Sequence, residues 1–249
     1  MKILANNLKR FKVITFDVTN TILYFKSPPH VQYLKTAAEF GLAKEKFDVN
    51  LMKVNFRKQF KEMSKNHPNY GQQSIQYQKW WEQLVTNVFL NSCNESLDPQ
   101  SVEPVVTKLI HQYKTRECWA KFSHTNELIS EMKKLGKVVG AISNFDPRLH
   151  HLLADMELPD LDFVVTSYEA GAEKPNPEIF HYAMKLSGQN ADASEALHIG
   201  NEYEKDFVGA QNAKWSSVLI NTESKTDAEH QFKDIEEFWN VIKSQEINI

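Results

Sequence analysis

Short apolar runs alternate with helical patterns beyond about residue 125, and this alternation constrains the fold more than any other feature of the chain. The runs are rich in β-branched residues, which favour strands, and turn-forming residues separate them from the helical stretches. The predicted strands are 138–142, 163–166, 196–199 and 217–220, and the predicted helices are 126–135, 147–156, 177–186, 206–213 and 235–242. Strands that alternate with helices in this way predict an α/β fold, in which helices cover both faces of a parallel sheet.

One further predicted strand lies near the N-terminus and ends at a carboxylate. The run from Val13 to Phe16 stops at Asp17, and the small polar residues Thr19 and Thr21 follow. A carboxylate at the carboxyl end of a parallel strand faces the crevice in which open α/β sheets bind ligands. In that place Asp17 can act as a nucleophile, as a metal ligand or as both. The alternative is an aspartate that caps the N-terminus of a helix.

The segment between about residues 28 and 115 is predicted to be wholly helical, because it contains no strand-like run. Its predicted helices are 30–40, 46–64, 74–91 and 98–114. In the third of these, Trp80, Leu84 and Val88 recur at helical spacing and form an apolar stripe, with Trp81 beside them. The stripe indicates that both tryptophans pack in a core. We therefore predict an inserted all-α domain at 25–115 and a core domain made of 1–24 and 116–249.

The bulk composition limits the classes of partner and compartment. The 249 residues carry a net charge of -3 with a pI near 6.3, which gives no general attraction to nucleic acid or anionic membranes. No apolar stretch approaches the roughly 20 residues of a membrane span. Because Cys93 and Cys118 are too few for a disulfide framework, we expect a reducing, cytoplasmic location. A short mitochondrial transit peptide in the basic stretch 1–12 is the second option, and monomer and homodimer both stay open.

Polar groups also follow three other predicted strands. Ser143 and Asn144 follow one strand, Lys174 lies in the loop after the next, and Asp206 comes shortly after the third. Each has an alternative explanation by itself: Ser143 and Asp206 can cap helices, and Lys174 can be an exposed loop lysine. The carboxyl ends of parallel strands meet at one edge of the sheet, so we predict that all four residues converge with Asp17.

Together these groups suit phosphoryl transfer. The Asp17 carboxylate would attack phosphorus in line, Ser143 and backbone amides would donate hydrogen bonds to the phosphoryl oxygens, and Lys174 would neutralise their charge. Asp17 and Asp206 would hold Mg²⁺, which prefers oxygen ligands and retains several waters. The cation would also reduce the repulsion between an anionic nucleophile and an anionic substrate.

The same residues resemble the four motifs of the haloacid dehalogenase-like (HAD) hydrolase superfamily, and the resemblance covers nearly the whole chain. The matching segments are Asp17-Val18-Thr19-Asn20-Thr21, Ser143-Asn144, Lys174-Pro175 and Gly200…Asp206. The resemblance implies a Rossmann-like parallel sheet core and identifies the helical insertion as an α-helical cap domain. It also implies a covalent nucleophile at Asp17, and Mg²⁺ held by Asp17, the backbone carbonyl of Thr19 and Asp206.

On this basis the expected cofactor is Mg²⁺ and the expected substrate is a small phosphorylated metabolite. The catalytic set is Asp17, Thr19, Ser143 and Lys174. The phosphate-binding set is Thr21, Ser143, Asn144 and Lys174. The metal-binding set is Asp17, Thr19, Asn201 and Asp206.

Thr19 departs from the pattern of the phosphatases in this superfamily. They usually carry a second aspartate at this position, two residues after the nucleophile, as a general acid and base. A threonine hydroxyl cannot protonate a leaving alkoxide at neutral pH, and general acid–base catalysis is typically worth about 10²–10⁴-fold in rate. We therefore expect weak or selective turnover, with acyl and aryl phosphates less affected than alkyl esters.

Asn201 is the second departure, because the superfamily usually places an aspartate metal ligand there. An amide oxygen can coordinate Mg²⁺ but contributes no charge, so we expect weak binding of the metal. Three functions remain open from the sequence. They are a Mg²⁺-dependent phosphohydrolase, a catalytically impaired protein that binds a phosphorylated ligand or partner, and a metal-free haloacid dehalogenase.

Overall fold

Six parallel strands form the main sheet of the described part of the chain. The structure, a computed structural model, describes residues 8–220 and 230–244. In chain order the strands are β1 (Val13–Phe16), β2 (Leu23–Phe25), β3 (Trp119–Lys121), β4 (Val138–Ser143), β5 (Phe163–Thr166), β6 (Ala196–Gly200), β7 (Ser216–Ile220) and β8 (Gln231–Phe232). The order in the main sheet is β5-β4-β1-β6-β7-β8, and β2 pairs with β3 in a separate two-stranded sheet. The predicted α/β fold with a parallel sheet is confirmed.

The central strand β1 sets the position of Asp17. All four residues of β1 are buried, and Phe16 pairs with Ala141 of β4 on one side and with Ile199 of β6 on the other. The backbone N–H of Asp17 continues this pairing, since it donates to the carbonyl of Ile199 at 2.8 Å. Asp17 therefore lies where the carboxyl ends of β1, β4 and β6 meet.

Helices fill the connections between these strands. In chain order the described α-helices without a break in their helical φ/ψ angles are α1 (Pro29–Glu39), α2 (Val49–Asn66), α3 (Gln76–Ser92), α4 (Pro99–Gln112), α5 (Thr125–Lys134), α6 (Arg148–Asp155), α7 (Ser167–Ala170), α8 (Glu178–Leu186), α9 (Gly209–Asn212) and α10 (Ile235–Ser244). A further short helical segment, Pro68–Gly71, is interrupted by Asn69 and Tyr70, which both have a positive φ. A π-helical turn, Tyr203–Val208, leads directly into α9. Local chemistry fixes several ends: the Asp48 side chain caps α2, and Gly136, with a φ of 71°, follows α5 in the left-handed region that favours glycine.

The chain divides into two compact units. The first comprises Met1–Tyr24, Lys121–His150 and Glu157–Ile249, and the second comprises Phe25–Ala120 and His151–Met156. The main sheet lies in the first unit, and helices α1 to α4 lie in the second. The ends of the predicted core domain at residues 1 and 249, and most of the basic stretch 1–12, lie outside the described residues.

The second unit has a core of its own, in which Trp80 is completely buried. The indole N–H of Trp80 lies within hydrogen-bond reach of two carbonyls, those of Met63 at 3.3 Å and His67 at 3.1 Å. Trp81 is half-buried and stacks on Tyr70, with 6.0 Å between ring centroids. Core packing of Trp80 is thus confirmed, and Trp81 packs against the same core from its edge.

Several predicted boundaries need correction. Strands β2, β3 and β8 were not predicted, because runs of two or three residues are too short to show an alternating pattern. The helix predicted at 206–213 begins earlier, with the π-helical turn at Tyr203, so Asp206 does not cap it. None of the helices in the described segments combines the length and hydropathy that a membrane crossing requires. Both cysteines are free thiols.

Candidate active site

The ammonium group of Lys174 brings together the polar groups at the strand ends. Its Nζ atom lies 2.7 Å from Oδ1 of Asp17 and 2.6 Å from Oδ1 of Asp206, and it donates to the carbonyl of Ile142 at 2.8 Å. Lys174 is only 3% exposed, so the alternative of an exposed loop lysine is wrong. Residues from distant parts of the sequence therefore meet around one buried cation.

The main chain of Lys174 is held by the side chain of Asn144. The Lys174 N–H donates to Oδ1 of Asn144 at 2.7 Å, and Nδ2 of Asn144 donates to the Lys174 carbonyl at 2.9 Å. Asn144 follows β4, so this pair of bonds ties the lysine loop to the end of a strand. The structure thus gives Asn144 a positioning role that the sequence did not predict, while its predicted contact with phosphate stays a prediction.

Asp206 approaches the end of β6 because Gly200 leaves room for it. A Cβ atom at Gly200 would overlap the Asp206 carboxylate. Oδ2 of Asp206 accepts a hydrogen bond from the backbone N–H of Glu202 at 2.8 Å, and Oδ1 lies 3.2 Å from Nε2 of His198. Asp206 is 2% exposed. The carboxylate is therefore fixed from several directions at once.

Thr21 connects Asp17 with Asn201. Its hydroxyl lies 3.1 Å from Oδ1 of Asn201 and 3.4 Å from Oδ2 of Asp17, and the residue is 1% exposed. The predicted metal-binding amide therefore lies next to the predicted nucleophile. Phosphate binding by Thr21 stays a prediction.

Thr19 and Ser143 adjoin this group along the chain without hydrogen-bonding to it. Thr19 is half-buried just beyond β1, and Ser143 is the last residue of β4 and is buried. Within residues 8–220 and 230–244, neither side chain forms a hydrogen bond with Asp17, Lys174 or Asp206. Their predicted catalytic, phosphate-binding and metal-binding roles stay predictions.

The charged side chains of this group shift one another's pKa values. Burial raises the pKa of Asp17 to about 6, because the loss of solvent and the nearby Asp206 outweigh the attraction of Lys174. Burial also acts to raise the pKa of Asp206, but Lys174 and the hydrogen bond from His198 outweigh it and hold that pKa well below its ordinary value. Burial acts to lower the pKa of Lys174, yet the two carboxylates raise it overall, so the lysine is cationic at neutral pH.

His198 was not among the predicted site residues, although it contacts Asp206 directly. A two-residue spacing is the signal that could have found it. His198 precedes Gly200 by two positions on β6, and its register partner Thr15 precedes Asp17 by two positions on β1. Side chains two residues apart on a strand lie on the same face, so both point to the side of the sheet that carries the site chemistry.

The donor set fits a hard divalent cation such as Mg²⁺. An ionised carboxylate offers about four acceptor positions, and hydrogen bonds from Lys174, His198 and Glu202 fill three of them on Asp206. Oδ2 of Asp17 receives a long contact from Thr21, and the backbone N–H of Val18 donates a hydrogen bond to the same carboxylate. Mg²⁺ is commonly bound by one or two carboxylates together with water and substrate phosphate. Asp17 and Asp206 can supply the two carboxylates. Among the described residues, no cluster of three or more His, Cys, Asp and Glu side chains could hold a metal.

A parallel sheet with a carboxylate after its central strand, a buried lysine and a second carboxylate is the arrangement of the HAD-like hydrolases. The chain belongs to the haloacid dehalogenase-like hydrolase family, and the sequence model of that family matches residues 11–214. It is similar to the rhythmically expressed gene 2 protein of Drosophila melanogaster, at 37% identity over 227 residues, which cover 88% of this chain and 86% of that protein. It is also 32% identical over 237 residues to the haloacid dehalogenase-like hydrolase domain-containing protein 3 of Xenopus laevis, covering 94% of this chain and 93% of that protein.

A solved structure shares the fold at low sequence identity. The crystal structure of YfnB from Bacillus subtilis bound to magnesium superimposes with a TM-score of 0.67 at 17% identity, and the match covers 94% of this chain and 99% of that chain. At this identity the likeness concerns the fold alone.

We predict that replacing the buried lysine by methionine destabilises the fold in a pH-dependent way. Lys174→Met should lower the free energy of unfolding by about 3–5 kcal/mol at pH 7, because it leaves two buried carboxylates without their cation. In the variant the folded-state pKa values of Asp17 and Asp206 rise above the unfolded value of about 3.9. Groups with raised folded pKa values destabilise the fold above the unfolded pKa, so the loss should shrink as the pH falls toward 4.

Urea unfolding at about pH 7 and about pH 4.5, in the presence of a chelator, measures this change. Lys133→Met is the matched control, because Lys133 forms an exposed ion pair with Asp162 at 2.8 Å. That pair should be worth less than about 1 kcal/mol at either pH. Equal losses for the two variants would contradict the central position of Lys174.

Proposed function

We propose that this chain is a Mg²⁺-dependent phosphohydrolase that works through an aspartyl-phosphate on Asp17, with slow or leaving-group-selective turnover. The observation that carries the proposal is the 2.7 Å contact between the Asp17 carboxylate and the Lys174 ammonium at the end of the central strand. A nucleophilic carboxylate and a fixed cation are two elements that phosphoryl transfer through an aspartyl-phosphate uses. The proposed substrates are small phosphate monoesters or acyl phosphates.

Each residue has a definite task in this mechanism. Asp17, ionised above its pKa of about 6, attacks phosphorus, and the leaving oxygen departs in line. Lys174 and Ser143 stabilise the charge on the phosphoryl oxygens, and Asn144 keeps the lysine main chain in place. Asp17 and Asp206, with the Thr19 carbonyl and Asn201, would hold Mg²⁺, which offsets negative charge and orients the phosphate. Water then hydrolyses the aspartyl-phosphate and regenerates the carboxylate.

Thr19 limits both halves of this reaction. Departure of an alkoxide needs a proton donor, and attack by water on the aspartyl-phosphate needs a proton acceptor. A threonine hydroxyl supplies neither at neutral pH. Substrates whose leaving groups need no protonation, such as acyl and aryl phosphates, should therefore react best.

A second function is a catalytically impaired protein that binds a phosphorylated ligand or partner. Thr19 and Asn201 favour it, because they remove a proton-transfer group and a charged metal ligand. In this case Lys174 and the strand ends would serve recognition only. The site would bind its ligand and release no product.

Removing the nucleophile tests the proposal directly. Asp17→Asn should lower phosphate release by about 10³-fold or more, because loss of a nucleophile typically costs orders of magnitude. Asp98→Asn is a matched control, because Asp98 is distant from Asp17 in the sequence and caps the N-terminus of α4. Asparagine caps a helix equally well, so this change should leave the fold intact. Release of phosphate from acetyl phosphate and p-nitrophenyl phosphate is the measurement. Residual activity above about a tenth of wild type would exclude Asp17 as the nucleophile.

Removal of the metal separates the three possible chemistries. A chelator should abolish phosphate release, and added Mg²⁺ should restore it, because the cation offsets the charge of both reactants. The same protein is assayed with 2-chloropropionate for halide release. Halide release that a chelator does not affect would replace the proposal by a metal-free dehalogenase. Ligand binding without release of either product would favour the impaired binding protein.

Restoring the missing carboxylate should accelerate ester hydrolysis. Thr19→Asp should raise the rate for an alkyl phosphate by about 10²-fold, within the range typical of general acid–base catalysis, and raise that for an aryl phosphate much less. Thr19→Val is the control, because it is nearly isosteric and adds no proton donor. No gain for either leaving group would show that proton transfer at this position does not limit turnover. An equal gain for both would place the limiting proton transfer in hydrolysis of the aspartyl-phosphate, the step that all substrates share.

A further inference from the structure

His198 lies within β6 and is completely buried. Its ring packs edge-on against Phe180, with 5.2 Å between ring centroids and an interplanar angle of 82°. An imidazole removed from water needs hydrogen-bond partners for both of its nitrogens. Nδ1 lies 2.9 Å from Oγ1 of Thr15, and Nε2 lies 3.2 Å from Oδ1 of Asp206. One of its two partners is therefore a proposed metal ligand.

The hydrogen-bond partners of this histidine determine which ring nitrogen carries a proton. The Asp206 carboxylate can only accept a hydrogen bond, which places an N–H on Nε2. Nδ1 is then an acceptor for the Thr15 hydroxyl. The Thr15 hydroxyl, which can donate or accept, is compatible with the tautomer that Asp206 selects.

The hydrogen bond from His198 helps to determine which acceptor position of the Asp206 carboxylate remains open to a metal ion. Lys174 and His198 both donate to Oδ1, and the Glu202 N–H donates to Oδ2, which leaves one acceptor position on the carboxylate. Lys174 has a long side chain and shares its protons with Asp17 and Ile142. The imidazole is instead held by contacts at both nitrogens and by the ring of Phe180. The imidazole is therefore the better constraint on the direction of the carboxylate.

We infer that His198 is a positioning residue whose Nε2–H orients Asp206 toward Mg²⁺. This inference rests on the proposed Mg²⁺-dependent function. Groups that hydrogen-bond a metal ligand typically change metal affinity by about 10–100-fold when they are removed. His198 does not touch the metal or the substrate, and its contribution lies in the direction of the Asp206 carboxylate.

Binding of Mn²⁺ in the absence of substrate, followed by the electron paramagnetic resonance of the free ion, tests the inference. Mn²⁺ is the probe because it shares the preference of Mg²⁺ for oxygen ligands. His198→Leu should weaken Mn²⁺ binding by about tenfold or more, because it removes the donor to Asp206. His198→Gln should bind within about threefold of wild type, since the glutamine amide can donate to the same oxygen.

Thr15→Val is the matched control, because it removes one buried hydrogen bond from the same histidine without removing a donor to Asp206. Both Thr15→Val and His198→Leu should lower the thermal midpoint of unfolding, because each removes a buried hydrogen bond of the histidine. Only His198→Leu should weaken Mn²⁺ binding. The inference is overturned when His198→Leu binds as tightly as wild type, or when Thr15→Val weakens binding as much as His198→Leu does.

Asp206→Asn separates failure of this inference from failure of the proposed function. If the wild type binds Mn²⁺ and the Asp206→Asn variant does not, the metal is bound at Asp206. Absence of Mn²⁺ binding in the wild type would overturn the proposed function and the inference together. Wild-type binding that His198→Leu leaves unchanged would overturn the inference alone.

A measurement on the wild-type protein keeps the inference testable if His198→Leu does not fold. Nitrogen-15 spectroscopy of the histidine ring should show the Nε2–H tautomer, and the Nε2 signal should shift when Mg²⁺ is added. The Nδ1–H tautomer, or an Nε2 signal that does not respond to Mg²⁺, would overturn it.

Discussion

One buried ammonium group facing two buried carboxylates is the interaction on which the rest of the site depends. Moving a charge out of water costs several kcal/mol, so Asp17 and Asp206 can lie close together only because Lys174 lies between them. The lysine in turn needs a fixed main chain, which Asn144 supplies with two hydrogen bonds. Gly200 completes the arrangement, because only a residue without a Cβ atom lets Asp206 approach the strand.

The fold could be predicted wherever a segment was long enough to show a period. Strand β5 was predicted with the boundaries that the structure has, and helices α1 to α4 within three residues at each end. Strands β2 and β3 could not be predicted in the same way, because three residues show no period. The change of pattern along the chain predicts a core domain and a helical insertion at 25–115, and this division stays a prediction.

The convergence of Asp17, Lys174 and Asp206 could also be predicted, since each follows an apolar run and parallel strands end at one edge. The partners of Asn144 and His198 could not. Asn144 is bonded to the main chain of a loop 30 residues away, and His198 to a turn that begins with a π-helix. Spacing places His198 on the face of the sheet that carries the site, but the partners of both residues depend on the paths of loops, for which the sequence gives no signal.

Thr21 has a single hydroxyl proton and two acceptors, Oδ1 of Asn201 and Oδ2 of Asp17. The two bonds exclude each other at any instant, and the shorter distance favours Asn201. A cation held at Oδ1 of Asn201 would leave this proton to Asp17. The single hydroxyl of Thr21 therefore links the predicted metal-binding amide to the predicted nucleophile through one shared proton.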